Sequence, residues 1–198
     1  MIFPGIGELN GRQMGAAIER EVKLRFGSAA EARTLLVAAG ATLVRGRRLQ
    51  EDCLLDTEGG LLQSRRSSLR VRTESGHALL TFKGPVQPAI VKVREELETV
   101  VGDGAVLLQM LEALGFRVWF RYEKYREEYA LDDVIVAVDE TPVGTFVEIE
   151  GSADGIRATA AALGRGPADY VLDSYRGLFA RHCTQRGLPV TDMLFETA

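Results

Sequence analysis

Residues Glu19-Arg20-Glu21-Val22-Lys23-Leu24-Arg25-Phe26 alternate like a β-strand: Val22, Leu24 and Phe26 are apolar, while Glu19, Glu21, Lys23 and Arg25 are charged. Side chains on a strand point to opposite faces in turn, so residues two apart share a face. The same alternation returns along the chain. Arg70 and Arg72 share a face opposite Leu69 and Val71, and Lys83 shares one with Thr81 while Phe82 faces away. Lys92, Arg94, Glu96 and Glu98 lie opposite Val91, Val93 and Leu97. Lys124 and Arg126 lie together, as do Glu148 and Glu150 opposite Val147 and Ile149, and Asp139 closes the strand before them. An antiparallel sheet with one wet face also alternates charge with apolar residues, and any single strand here fits that description. The joint pattern is more restrictive, because acids pair with acids at Glu19/Glu21, Glu96/Glu98 and Glu148/Glu150, and bases with bases at Arg70/Arg72 and Lys124/Arg126. Like charges side by side are unfavourable unless the opposite sign sits between them.

Two guests satisfy such an arrangement. Clustered carboxylates suit a hard divalent cation, Mg²⁺ or Mn²⁺. Clustered Arg and Lys suit phosphates. A sheet that curls until its charged faces meet inside makes a barrel with a polar interior, its apolar faces packing outward against helices. Lys23, Arg70, Arg72, Lys83, Arg94, Lys124 and Arg126 would bring about seven positive charges against the roughly four negative charges of a triphosphate.

The formal net charge of −4 argues against a nucleic-acid or membrane-surface binder, which needs a basic excess. No apolar run approaches the roughly 20 residues of a membrane span, and the N-terminus lacks the basic and apolar regions of a signal peptide. Cys53 and Cys183 show neither metal spacing nor a disulfide framework, which predicts two reduced thiols and a cytoplasmic protein. The 198 residues, 46% hydrophobic, hold one sizeable core or at most two small domains.

Turn and cap signals divide the chain. Strands are predicted at about 18–26, then as two strands around a turn at Arg45-Gly46 within 41–57, then at 67–73, 77–84, 90–100, 117–131, 134–140 and 145–151. Helices are predicted at 29–40, with Ser28 and Glu31 forming a capping box, at 102–115 starting near Asp103 and stopping at Gly115, at 152–164, and at 169–187. Residues 1–17 read as a leader or arm, 18–187 as one domain and 188–198 as an irregular tail. The fold class is α+β and antiparallel, without a phosphate-binding glycine loop or dinucleotide fingerprint. Trp119 and Tyr122 read as strand packing, the cluster Arg45 to Arg48 as either the rim of a tunnel or a solvated patch, His77 as a surface residue, and His182 as complementing the charge at the end of the last helix.

Glu19-x-Glu21-x-Lys23 resembles the ExExK signature of the CYTH superfamily, which takes its name from class IV adenylate cyclases and thiamine triphosphatases. The resemblance continues in family order through Leu69–Arg72, Thr81–Gly84, the run Arg94–Glu98, Lys124-x-Arg126, Gly144–Glu150 and Asp173–Tyr175, and so covers about residues 18–187. It implies an eight-stranded antiparallel closed β-barrel, a triphosphate tunnel with flanking helices. It implies that Glu19, Glu21, Glu148 and Glu150 are metal ligands, directly or through water, that Glu96 and Glu98 line the same tunnel, and that Asp139 sits near the metal end. Lys23, Arg70, Arg72, Lys83, Lys124 and Arg126 would grip the phosphates, with Arg94 beside them.

Two reactions then fit one site. In a hydrolase, water attacks the terminal phosphorus of tripolyphosphate or of an organic triphosphate such as thiamine triphosphate. In a class IV adenylate cyclase, the ribose 3′-oxygen of ATP attacks the α-phosphorus and expels pyrophosphate. Both need in-line geometry, charge neutralisation and a general base. Lys23 is a candidate base, because crowding by cations lowers a lysine pKa, and equally a simple phosphate ligand. Hydrolysis is the favoured reading, since the sequence carries no decisive adenine signal. A non-catalytic polyphosphate- or nucleotide-binding module is the alternative of another class, and the intact acid pairs argue against it. Nothing in the sequence distinguishes a monomer from a homodimer.

Overall fold

The computed structural model describes residues 15–196. Eight strands and five helices follow in the order β1 (Gly15–Phe26), α1 (Ala29–Ala38), β2 (Thr42–Thr57), α2 (Leu61–Ser64), β3 (Ser68–Glu74), β4 (His77–Lys83), β5 (Lys92–Val101), α3 (Gly104–Ala113), β6 (Phe116–Leu131), β7 (Val134–Thr141), β8 (Gly144–Glu150), α4 (Ala153–Ala162) and α5 (Tyr175–Arg186). The strands close into a barrel in the order β1-β5-β4-β3-β2-β6-β7-β8, each pair antiparallel. β1 closes it by serving two neighbours: residues from Gly15 to Glu21 pair with β5, and those from Glu21 to Phe26 pair with β8. The eight-stranded antiparallel barrel with flanking helices is therefore the fold. No helix among the described residues is long and apolar enough to cross a membrane.

The apolar strand faces point outward, because that is where the helices lie. Val22, Leu24 and Phe26 of β1, Val134, Val136 and Val138 of β7, and Val147 and Ile149 of β8 pack on Ala32 and Leu36 of α1 and Ile156 and Ala160 of α4. On the opposite flank Leu55 and Val71 pack on Leu111 of α3. The core is thus a layer between barrel and helices, and the charged strand faces are left to the inside. Ser28 begins α1 by accepting from the Glu31 amide, while the Glu31 carboxylate takes the amide of Gly27 rather than that of Ser28, a capping box displaced by one residue. Asp103 caps α3 in the predicted manner, and Gly115 follows it at φ +89°.

Three expectations are corrected. Residues 42–57 are one strand: the turn signal at Arg45-Gly46 is absorbed in register shifts between Leu43 and Arg45 and between Arg45 and Arg48, which bend β2 without breaking it. The last helix begins at Tyr175, not at 169. The backbone before it is already occupied, because Lys23 and Val171 exchange amide-to-carbonyl bonds of 3.2 and 2.8 Å, and Ser174 then caps the helix through the Gly177 amide. Residues 15–17 belong to β1, and the rest of the predicted leader lies outside the described residues. The C-terminal segment is irregular but pinned: Met193 bonds in parallel fashion to Arg121 and Glu123 along the edge of β6 that β7 is too short to reach, and its side chain is fully buried.

Candidate active site

The interior is built by alternation. Glu19, Glu21 and Lys23 of β1, Arg70 and Arg72 of β3, Lys83 of β4, Lys92, Arg94 and Glu96 of β5, Lys124 and Arg126 of β6, Asp139 of β7 and Glu148 of β8 all turn inward, and all but Arg94 are buried. Cross-strand register sets who meets whom, since Lys23 lies opposite Glu148 and Glu21 opposite both Lys92 and Glu150. A cavity of about 330 Å³ opens along this wall, with Glu19, Glu21, Lys23, Arg70, Arg72, Lys83, Lys92, Arg94, Lys124, Arg126, Glu148 and Glu150 on its surface. All seven cations and four of the seven acids singled out in the sequence converge there. Glu96, Glu98 and Asp139 do not face the cavity. Glu96 meets Lys83 at 2.5 Å, Glu98 accepts from Thr81 at 2.8 Å and lies 3.6 Å from Arg70, and Asp139 stands behind the β6 cations.

Each cation holds a carboxylate or is held by one. Lys23 Nζ lies 3.0 Å from both Glu21 and Glu148. Lys83 and Arg94 both reach Glu19, at 2.5 and 2.8 Å, and Lys92 reaches Glu21 at 2.5 Å. Arg72 donates from Nε and Nη2 to the two oxygens of Asp52, at 2.9 and 3.2 Å. Arg126 donates to both Asp139 oxygens, at 2.7 and 2.6 Å, and to Glu148 at 2.9 Å, while Lys124 adds a bond to Asp139 Oδ2 at 2.9 Å. The Tyr175 hydroxyl, first residue of α5, also donates to Asp139, and its ring lies under Lys23 and Lys124 at 5.3 and 4.8 Å.

These pairings fix the charge states. Burial alone would raise the Glu21 carboxyl, as would its neighbour Glu148, but Lys23 and Lys92 outweigh both and hold it at about 2. Asp139 is likewise at about 2, because Arg126 and Lys124 overcome the effect of burial. Glu148 is held well below its ordinary value by Lys23, Arg126 and Lys124 against the same effect. Lys23 departs from expectation. Burial would lower its pKa, but Glu148 and Glu21 raise it above the ordinary lysine value, so its ammonium is firmly charged. Two other lysines are depressed: Lys124, pushed by burial and by Arg126 down to about 7 despite Asp139, and Lys92, pushed by burial, Lys23 and Arg94 down to about 8 despite Glu21.

Among the described residues no three His, Cys, Asp or Glu side chains converge closely enough to hold a metal as they stand. The donor chemistry nonetheless fits a hard divalent cation: Glu19, Glu21, Glu148 and Glu150 put only carboxylate oxygens on one wall, from adjacent strands. Glu19, Glu21 and Glu148 are turned onto lysine and arginine.

Lys92, on the charged face of its strand, lines the cavity beside the cations expected from the sequence. Ser174 and Tyr175, within the Asp173–Tyr175 stretch that resembles the family, and Arg176 after them reach the cavity because α5 starts over the end of the barrel, which strand alternation does not show. Trp119 was read as packing and lines the cavity mouth with Leu54, Val86 and Leu172. Arg45 and Arg48 ring the other end of the barrel, where both pair with Glu74 and Glu128, while Arg47 covers the Tyr125 ring at 3.6 Å.

Comparison with known proteins agrees with the barrel fold. A Methanocaldococcus jannaschii protein named "putative adenylate cyclase" is 29% identical over 140 residues, covering 70% of this chain and 79% of that protein. The solved structure of the PH1012 protein from Pyrococcus horikoshii superposes with a TM-score of 0.69 at 26% identity, over 81% of this chain and 98% of that one. A Hippeastrum protein, described as a "putative adenylyl cyclase" that reveals a dominant triphosphatase activity, shares the fold at a TM-score of 0.60 and 18% identity, over 87% of this chain and 96% of its own. Residues 17–165 match the CYTH domain, and the chain belongs to that family.

Proposed function

We propose that the barrel binds a triphosphate chain together with Mg²⁺ or Mn²⁺ and cleaves it by hydrolysis. The observation that carries this reading is the cavity wall, where Glu19, Glu21, Glu148 and Glu150 face Lys23, Arg70, Arg72, Lys83, Arg94, Lys124 and Arg126 across one buried space. An anion entering alone would have to pull the cations from their carboxylates, and a metal entering alone would have to pull the carboxylates from their cations. Entering together, each guest takes the partner that the other releases, so no buried charge is left unpaired.

The four carboxylates would hold the metal, which supplies charge neutralisation on the phosphate oxygens and a lowered pKa for water. The chain's own groups do the rest. Arg70, Arg72 and Arg126 offer planar donor forks to the phosphoryl oxygens, and Lys23, Lys83, Lys92 and Lys124 add point charges. Lys23, held charged by Glu21 and Glu148, suits stabilising the developing negative charge rather than taking a proton. Water attacks the terminal phosphorus, the bridging P–O bond breaks, and the departing pyrophosphate oxygen is met by the same cations. Asp139 and Asp52 orient Arg126, Lys124 and Arg72 from behind. Both cysteines are free thiols, Cys183 buried, in keeping with a reducing cytoplasm.

A second reading, cyclisation of ATP, is supported by the name of the Methanocaldococcus relative. One paired assay separates the readings: tripolyphosphate and ATP, each with Mg²⁺ or Mn²⁺, followed for orthophosphate, pyrophosphate and cyclic AMP. Orthophosphate release, lowered at least about 100-fold in Glu148→Gln, is the expected result. Cyclic AMP with pyrophosphate would move the assignment to a cyclase. Tight binding without any product would leave a polyphosphate- or nucleotide-binding module.

A further inference from the structure

The cavity has two zones of different chemistry. Its depth is lined by the charged side chains described above. Its mouth carries Leu54, Val86, Trp119 and Leu172, an apolar and aromatic rim that inorganic phosphate has no use for. Trp119 stands there because of a fault in the strand. Leu54 pairs with Phe120 and the next residue, Leu55, pairs with Val118, so Trp119 is an extra residue with no partner across the ladder. Regular alternation would send it outward, opposite Phe120 and Tyr122. The bulge turns it toward the mouth instead, and bulges beside active sites commonly re-aim a side chain in this way.

Arg176, in the first turn of α5, lays its guanidinium over the Trp119 ring at 5.1 Å and reaches the Phe120 ring at 5.9 Å. Unlike the cations deeper in the cavity, it pairs with no carboxylate among the described residues, and its buried Nε has no hydrogen-bond partner. An indole and an unpaired planar cation, stacked and facing a cavity, are the two surfaces on which a flat heteroaromatic ring stacks well. Along β6 the shelf lies roughly 15 Å from Lys124, which leaves room for a phosphate chain and a linking sugar between stacking surface and inner cations.

We infer that the Trp119–Arg176 shelf receives the planar aromatic head group of an organic triphosphate, so that the enzyme selects nucleotide-like triphosphates over inorganic triphosphate. This rests on the proposed reading of the cavity as a triphosphate site and adds which triphosphate it prefers. The phosphates would enter the charged depth while the ring stays at the mouth. Trp119 and Arg176 thus set specificity and take no part in bond breaking.

The test compares kcat/KM for ATP, GTP and tripolyphosphate in the wild type, Trp119→Ala, Trp119→Phe and Arg176→Ala. The ratio of nucleotide to tripolyphosphate should fall about tenfold or more in Trp119→Ala and be largely kept in Trp119→Phe, which still offers a ring. An equal fall for all three substrates, or an unaltered ratio, overturns the inference. Trp119 is the only tryptophan of the chain, so its emission, excited at a wavelength nucleotides do not absorb, gives a second readout independent of turnover. ATP should quench or shift it and tripolyphosphate should not. Quenching by ATP with no turnover of any triphosphate would retain the shelf and reject the hydrolase. Turnover of tripolyphosphate with no response to ATP would retain the hydrolase and reject the shelf.

Discussion

Asp139 shows how much one side chain holds in place. It is fully buried and accepts from Arg126, Lys124 and Tyr175. Removing its charge takes the carboxylate partner from Lys124 and leaves Arg126 with Glu148 alone, so Asp139→Asn should cost about 3–5 kcal/mol in urea unfolding. Glu150, which is only half-buried and lines the cavity, should behave in the opposite way: Glu150→Gln leaves stability within about 1 kcal/mol while lowering metal-dependent turnover. The pairings also set a pH dependence. Glu21 and Asp139 titrate at about 2 in the folded protein, against ordinary values of 4.5 and 3.8. Between those values the unfolded chain binds more protons, so the stability these pairs give is complete above the ordinary carboxylate range and is lost as pH falls toward 2. Lys124 works in the other sense, because at about 7 it gives up its proton earlier in the folded protein than the ordinary value of 10.5. Its contribution makes stability rise as pH climbs from 7 toward 10.5. Melting temperatures across pH should show both limbs, and Lys124→Met should reduce the alkaline one to the part that Lys92, lowered to about 8, still gives.

At the scale of elements, the junctions decide where side chains go. Gly151, between β8 and α4, has φ +157°, and a Cβ there would lie 2.8 Å from the Asp133 carbonyl oxygen and from Val134 Cγ1. Gly151→Ala should therefore destabilise by about 1–3 kcal/mol, read as a lower denaturation midpoint at constant m. Its effect should extend to turnover, because Glu150 and Glu148 lie on the strand that Gly151 ends. Alternation made the inward and outward faces of β1, β3, β5 and β8 legible from the sequence, since the period of two dominates each strand despite Arg20, Glu95 and Phe146, which depart from it. It failed at β2 and β6. Gly46 looks like a turn, yet a neighbouring long strand can hold a bend in place by continuing the ladder around it. The bulge at Trp119 has no signature of its own, because an extra residue is defined only by the register of the strand across from it.

For the whole molecule, the notable property is that the interior neutralises itself. A barrel with this many buried charges stays folded without a guest because acid and base from different strands meet inside. The consequence is coupling between guests. Metal and triphosphate each compete with internal ion pairs when alone and relieve one another when together, so the rise in melting temperature with Mg²⁺ plus tripolyphosphate should exceed the sum of the two separate rises. Additive shifts would mean that the carboxylates and the cations serve independent sites. The measurement belongs in the Glu148→Gln protein as well, where the excess over additivity should shrink.

The sequence by itself determined the kind of molecule this is: strands with one charged and one apolar face, helices with small apolar stripes to cover the outside, and a set of inward charges too segregated by sign to be a wetted surface. Those properties depend on near neighbours in the chain, where a period of two or a capping serine is complete within a few residues. Only the tertiary structure decided which acid holds which base, that Lys23 stays charged while Lys124 and Lys92 are pushed down, and that Trp119 and α5 shape the mouth. Each of these depends on distances between segments far apart in sequence, set by barrel closure and strand register, and no local pattern encodes them.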